Sequence, residues 1–471
     1  MEIKLSLSGH SRTYEIIHII RAVFPDAEFS DEGEIHVESI LENENIITVI
    51  TGQGKTERAE YSLSENHRGV TSPGHGVCIS FLKCAKKFKE VYVPWGALIG
   101  IRPSGMVANF RHAGYSDKEI KEILSKDYMV EADKLSLMFS TANAEAELIK
   151  TLPENGVSFY IGVPYCPTRC SYCSFISRAV RSEEELEKYV ECLIREFEII
   201  EYADFLKPVS IYIGGGTPTV LSPSQLSRVM EALAKRIDVS ALREYTVEAG
   251  RPDTVTEEKL RVIKELGAGR ISINPQTLKN DTLKLIGRNH TAEDFYRAFS
   301  AARKVGFETV NTDLIAGLPG ETAEDFEKSI KGITGLKPEN ITVHTLSVKR
   351  AAALTLADAV KNPAYEMHKR ASGILEGYSP YYLYRQKNTV DNLENIGYSL
   401  PGHECIYNMC MMGDIQNIIS FGGGGVTKFI GEKSIERIRN PKDGDLYIKT
   451  IDDVIKGKEQ KIAEYRNSGI C

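Results

Sequence analysis

Three cysteines, Cys166, Cys170 and Cys173, fall within eight residues in the segment YIGVPYCPTRCSYCSF, spaced C-x3-C-x2-C. Thiolates are metal ligands, and three on one short loop can each take one iron of a cubane. That arrangement leaves the fourth iron without a protein ligand. A structural zinc site takes four ligands, and a ferredoxin-type cluster takes a fourth cysteine. No neighbour supplies one: position 175 is Phe, and Cys192 lies on a predicted helix. The chemistry to expect is that of an iron–sulfur cluster with one iron open to an outside ligand. The total of nine cysteines in 471 residues is odd and too sparse for a disulfide scaffold.

Further residues fall where ligands of such a loop would lie. Gly214-Gly215-Gly216-Thr217-Pro218-Thr219 follows a strand-like run, and consecutive glycines let backbone N–H groups approach a ligand closely. Polar residues end or follow the next runs: Glu248, Gln276, Arg288 in IGRNHT and Asp313 in NTDLIAGLPG. Charge at a strand's C-terminal end is costly unless paired or ligated, so each is either an internal ion pair or a binding residue.

Together these segments resemble the radical S-adenosylmethionine (SAM) superfamily, whose signature is C-x3-C-x-aromatic-C; Tyr172 fills the aromatic slot. Within it the chain is similar to the oxygen-independent coproporphyrinogen III dehydrogenase (oxidase) family, and residues 1–150, with the VPWGALIGIRP loop, look like its HemZ-like branch. The resemblance covers about 155–430 through Tyr160, the triad, GGGTPT, E-x3-P from Glu248, Q-T-L from Gln276, G-R-x-H-T and D-L-I-x-G-L-P-G. It implies a [4Fe–4S] cluster on Cys166, Cys170 and Cys173, with SAM chelating the open iron. By the same resemblance Tyr160, Gly215 and Glu248 hold that SAM. Tyr172, Gly216, Thr217, Gln276, Arg288 and Asp313 line an adjoining pocket where the family can place a second. Two departures stand out. The family's archetype has a further Cys where this chain has Phe175, and the H-N-x-x-Y-W of the haem-chaperone relatives is here Tyr407-Asn408-Met409-Cys410-Met411-Met412.

The elements that must position these residues show the pattern of a parallel sheet. β-Branched runs occur at 157–163, 209–215, 244–249, 270–275, 309–315 and 340–346, about one βαβ unit apart. Amphipathic stretches lie between them. Ser182-Glu-Glu-Glu185 reads as a capping box, and TAED opens a helix at both Thr291 and Thr322. The runs read as near-continuously apolar, as in strands covered on both faces. The fold class expected is α/β, a partial (β/α)6 barrel, since six units fall short of the eight that close a barrel. Three domains are expected: an N-terminal α+β and helical domain (1–150), the barrel (151–350) and an α+β C-terminal extension covering the active site (351–471). The loop 93–105, with Trp95 and Arg102, reads as interdomain packing.

Composition narrows the function. With 58 Lys and Arg against 65 Asp and Glu the net charge is −7, so no global basic field recruits nucleic acid. No apolar run approaches the ~18 residues of a membrane span, and the first residues lack the order of a signal peptide. A cytoplasmic protein is expected. The resemblance implies conversion of two propionates of coproporphyrinogen III to vinyl groups without dioxygen, yielding protoporphyrinogen IX. A small flavodoxin- or ferredoxin-like protein would supply the electrons. A tetrapyrrole with four carboxylates calls for cations, with Arg169, Arg178, Arg288, Arg385 and Lys387 as candidates. His344, His403 and the tyrosines from Tyr378 to Tyr384 are further candidates for substrate contact or for packing. The alternatives are another radical reaction on a tetrapyrrole, such as anaerobic haem ring-opening with methyl transfer, and non-enzymatic haem binding and delivery.

Overall fold

The computed structural model describes residues 1–100, 102–173, 178–347, 364–386, 389–431 and 434–467. Phe175 and Lys387 lie outside them. The chain forms two compact units, residues 1–143 with 383–394 and residues 144–382 with 395–471.

In the first unit, β1 (Glu2–Ser8), β2 (Glu28–Phe29), β3 (Ile35–Glu42), β4 (Asn45–Gly52) and β5 (Lys55–Ser62) form one sheet in the order β2–β1–β3–β4–β5. β3 and β4 bury alternate residues (Ile35, Val37 and Ser39; Ile46, Thr48 and Ile50), as one face packed on helices requires. The helix Pro73–Phe88 covers that face, and its buried Ser80 hydroxyl donates to Thr48 Oγ1 at 3.0 Å. Trp95 is wholly buried inside this unit, with Nε1 donating to Glu394 Oε2 at 2.6 Å; Lys134 Nζ meets Glu394 Oε1 at 2.7 Å.

In the second unit, six strands run parallel: β6 (Gly156–Val163), β9 (Lys207–Gly215), β10 (Glu244–Glu248), β11 (Arg270–Ser272), β12 (Thr309–Ala316) and β13 (Asn340–Thr345). They coincide with the six expected runs, and the sheet is open. Its order is β14–β15–β13–β12–β11–β10–β9–β6–β16–β17–β18, where β14 is Ser379–Arg385, β15 Glu394–Ser399, β16 Asn417–Phe421, β17 Val426–Ile430 and β18 Ile435–Arg439. β16 adds parallel to β6, so residues from the 351–471 stretch share one sheet with the six parallel strands. Buried Glu196 ties it down further, accepting from the Gly422 N–H at 2.7 Å, the Tyr447 hydroxyl at 2.6 Å and Lys458 Nζ at 2.5 Å.

The strands are not apolar on both faces. The register aligns Ser158 with Ser210, Tyr160 with Tyr212 and Thr246, Glu248 with Ser272, Asn311 with Asn340, and Asp313 with Thr342. One face of the sheet is therefore polar, while Phe159, Ile211, Val247, Ile271, Val310 and Ile341 alternate onto the face under the helices. Both TAED segments form complete capping boxes, from Thr291 to Asp294 and from Thr322 to Asp325. Ser182 makes only half of one: its hydroxyl caps Glu185 N–H, but the Glu185 carboxylate accepts from Arg181 N–H instead.

Candidate active site at the C-terminal ends of the parallel strands

The cysteine loop leaves β6 and is closed at its base by a short parallel pair, β7 (Tyr165–Cys166) and β8 (Arg178–Ala179). Three other strand-end segments hold the loop between. Thr217, after β9, donates its hydroxyl to Cys166 Sγ at 3.4 Å, and its N–H bonds the Tyr165 carbonyl at 2.7 Å. Arg251, after β10, donates to Cys170 Sγ at 3.4 Å and to the Thr168 hydroxyl at 3.1 Å. Arg288 donates to the Tyr172 hydroxyl from Nη2 at 2.9 Å and from Nε at 3.2 Å, while Nη1 binds the carbonyls of Gly250 and Asn274. The Ile286 carbonyl accepts from Ser171 N–H at 3.0 Å.

Two glycines are required by this packing. Gly215 has φ +114°, and a Cβ on Gly216 would lie 2.5 Å from the Tyr165 carbonyl oxygen. The glycine-rich turn therefore lies against the cysteine loop's first strand, in a conformation closed to other side chains.

Glu248, at the end of β10, accepts from the Tyr212 hydroxyl at 2.5 Å. Burial pushes its carboxyl up to about 7 and the charge of Asp313 adds to this, although Tyr212 and the Gly215 N–H favour the carboxylate. Asp313 behaves oppositely. Burial opposes its ionisation, but His344, with Nε2 3.5 Å from Oδ2, and the Asn311 amide at 2.8 Å hold it below the usual carboxylate range. Gln276 is buried at positive φ (69°), and its Oε1 has no hydrogen-bond partner among the described residues. Such an atom fits a ligand-facing position, because an unmet buried acceptor is costly in a site that stays empty.

The donor chemistry fits the expected cluster. Cys170 is buried, whereas Cys166 and Cys173 are partly exposed. Among the described residues no three His, Cys, Asp or Glu side chains come close enough to share one metal ion. Sulfur atoms that accept N–H and O–H donors are also characteristic of cluster ligands.

The structure brings together Cys166, Cys170, Cys173, Tyr172, Thr217 and Arg288 around the loop, with Tyr160, Gly215 and Glu248 beside them on β6, β9 and β10. Tyr172 and Arg288 are engaged with each other, and Thr217 with Cys166. The supposed substrate cations are occupied elsewhere. Arg178 binds Asp445 through both terminal nitrogens (2.5 and 2.6 Å) and also meets Glu185. Arg385 lies in the first unit, buried over the Trp95 ring with its guanidinium on the Leu98 carbonyl. Its guanidinium is thus committed to packing and to a backbone carbonyl there, not to the cysteine loop. Arg169 is exposed, and Lys387 is outside the described residues. His403 serves the opposite end of the strands, its carbonyl accepting from Arg270 at 2.8 Å and from Asn340 at 3.0 Å.

Sequence reasoning missed Arg251, Tyr212 and Tyr407. Tyr407, on the helix Ile406–Gly413, stacks on Tyr212 (centroids 4.5 Å, 25°) and on Tyr160 (5.8 Å, 15°). Glu244 fixes this helix by accepting from Ile406 N–H at 2.6 Å and Tyr407 N–H at 3.3 Å. The period-2 alternation from Tyr160 and Tyr212 to Gly162 and Gly214 was a readable signal for the stack. Tyr407 had no local signal.

Comparison with known proteins agrees with this geometry. The model of the radical SAM superfamily matches residues 160–333. The chain is 40% identical to the oxygen-independent coproporphyrinogen-III oxidase-like protein HemZ of Bacillus subtilis, over 75% of this chain and 74% of that one. It is 31% identical to the haem chaperone HemW of Lactococcus lactis, over 65% and 79% respectively. The solved structure of Escherichia coli coproporphyrinogen III oxidase (HemN) has the same fold, with TM-score 0.50 and 21% identity over 66% of this chain and 72% of that one. The chain belongs to the radical SAM superfamily and, within it, to the HemZ-like branch of the oxygen-independent coproporphyrinogen III oxidase family, with a [4Fe–4S] cluster and SAM as its cofactors.

Proposed function

We propose that this protein decarboxylates two propionates of coproporphyrinogen III oxidatively to vinyl groups, forming protoporphyrinogen IX without dioxygen. The observation that carries the reading is the 40% identity to the coproporphyrinogen-III oxidase-like relative, spanning three quarters of both chains. The reduced cluster with SAM bound supplies a 5′-deoxyadenosyl radical. Each propionate then loses one hydrogen atom from the carbon next to the pyrrole, CO2, and one further electron to an acceptor.

This chain's residues orient and shield. Cys166, Cys170 and Cys173 hold the cluster. Tyr160, Gly215 and Glu248 hold the SAM bound to it, and Gln276 and Asp313, with Tyr172, Gly216, Thr217 and Arg288, line the space beside it. A Glu248 carboxyl poised at about 7 takes up negative charge readily opposite a cationic ligand. Of the candidate cations, Arg169 lies exposed on the cysteine loop, while Arg178, Arg288 and Arg385 bind groups of the protein itself. A small flavodoxin- or ferredoxin-like protein delivers the electron, and the reaction is assigned to the cytoplasm. Among the described residues no helix is long and apolar enough to cross a membrane.

The test is anaerobic incubation of the reconstituted protein with SAM, reductant and coproporphyrinogen III, with Cys166→Ala as the cluster-free control. Protoporphyrinogen and 5′-deoxyadenosine are expected together. 5′-Deoxyadenosine with an unchanged tetrapyrrole would defeat the proposal, and a parallel arm with haem reports ring-opening. The HemW relative favours a second reading, haem binding and delivery. Against it, position 407 carries a tyrosine buried against Tyr160 and Tyr212 where those relatives' motif begins with His. Stable haem uptake without SAM turnover would support that second reading instead.

A further inference from the structure

Arg251 sits at the C-terminal end of β10 and is only 3% exposed. Asp253 grips its guanidinium on two sides, with Nε to Oδ1 at 3.0 Å and Nη2 to Oδ2 at 2.9 Å. A bidentate pair fixes the plane of the fork, so the remaining N–H groups have set directions. They point at the cysteine loop: Nη2 to the Thr168 hydroxyl at 3.1 Å, and Nη1 to the Thr168 carbonyl and to Cys170 Sγ, both at 3.4 Å. Holding the loop needs only the Thr168 bonds. The bond to sulfur goes to the most buried of the three cysteines, where a charge-assisted hydrogen bond is least screened.

We propose that Arg251 is a positioning residue that sets the reduction potential of the cluster through Cys170, with Asp253 limiting the size of its effect. Reduction adds one electron to the cluster and changes no covalent bond. A cationic N–H donor on a ligating sulfur stabilises that added charge and raises the potential, because hydrogen bonds to sulfur and local net charge are the protein's levers on such clusters. The Asp253 carboxylate lies on the far side of the same guanidinium and offsets part of its charge. The inference rests on the family's cluster being held by the three cysteines.

The test uses the full chain, reconstituted anaerobically without SAM, with iron counted per chain and the midpoint potential read by electron paramagnetic resonance across a mediator series. Arg251→Met is expected to disfavour reduction about tenfold, which for one electron is about 59 mV downward. Asp253→Asn, which leaves the guanidinium less neutralised, is expected to move the potential upward. Thr168→Val, which removes only a bond that holds the loop, is expected to leave it unchanged. A role confined to holding the loop predicts no shift at matched iron content. An unchanged potential in Arg251→Met with full iron, or a downward shift in Asp253→Asn, overturns the proposal. If Arg251→Met fails to retain iron, Asp253→Asn decides by its sign. A wild-type chain that binds no iron would instead undo the cofactor assignment.

Discussion

The two ends of the six parallel strands carry similar residue types and treat them differently. At the N-terminal ends the charges are fully engaged. Arg270 donates to the His403 carbonyl and to Asn340, the Thr309 hydroxyl meets the His403 ring at 2.7 Å, and the Glu244 carboxylate receives the Ile406 and Tyr407 N–H groups and the Cys405 thiol. Gln416 Oε1, Ser399 Oγ and Arg236 Nε lack hydrogen-bond partners there among the described residues, and Arg236 still lies 3.8 Å from the Glu201 carboxylate. At the C-terminal ends Gln276 Oε1 and Ser171 Oγ lack hydrogen-bond partners among the described residues, and Glu248 is left with a phenol and a backbone N–H. One end is a plug whose polar groups complete each other. The other is left incomplete, as a ligand-binding end must be, and it is the end that carries the cysteines. Polar residues inside a barrel therefore divide by how well they are satisfied, not by type.

Substitutions at the two ends should separate stability from chemistry. The largest effect belongs to Cys170→Ala, which is expected to abolish SAM cleavage and strip iron while the thermal transition stays close to wild type. A protein that still cleaves SAM would contradict the cluster assignment. Next, Arg270→Leu at the plugged end removes the buried guanidinium's bonds to the His403 carbonyl and to Asn340, and is expected to cost about 3 kcal/mol in denaturant unfolding. Glu248→Gln at the open end should cost little stability yet weaken SAM binding at least tenfold by calorimetry. If the two substitutions destabilise equally, the contrast between the ends fails.

A smaller effect concerns pH. The Glu248 carboxyl is raised from 4.5 to about 7 in the folded chain, so between those values the folded state holds a proton that the unfolded state has lost. Its contribution to the ligand-free protein's stability is therefore fully present below about 4.5, falls as pH rises, and levels off above about 7. Chemical denaturation across that range should show a shallower decline in Glu248→Gln than in the wild type. An identical slope would mean that Glu248 is ordinarily solvated. The smallest effect is expected from Tyr407→Phe, which keeps the stacked ring: less than about 1 kcal/mol in unfolding, and no gain of haem affinity in an absorbance assay.

Much of this was legible locally. The six parallel strands announced themselves as β-branched runs, and the two TAED boxes closed as written because a capping box is completed within four residues. The cysteine spacing pointed to an open iron without any long-range information. What escaped depended on partners far along the chain. The inner face of the strands looked apolar until the register aligned Ser158 with Ser210 and Glu248 with Ser272. Arg385 and Arg178 looked available until Leu98 and Asp445, distant in sequence, were seen to occupy them. Ser182 carried the capping-box letters, but Glu185 found the Arg181 N–H instead. Tyr407 could not be placed because its role is set by Glu244, more than a hundred residues earlier.

The most direct measurement is the paramagnetic resonance spectrum of the anaerobically reduced protein with and without SAM. A cluster held by three thiolates and open at one iron predicts full iron loading and a signal whose shape changes when SAM is added, in wild type and in Arg270→Leu alike. Full loading with a spectrum indifferent to SAM would show that a fourth protein ligand closes the cluster, and would contradict the account of this end as the ligand-binding one.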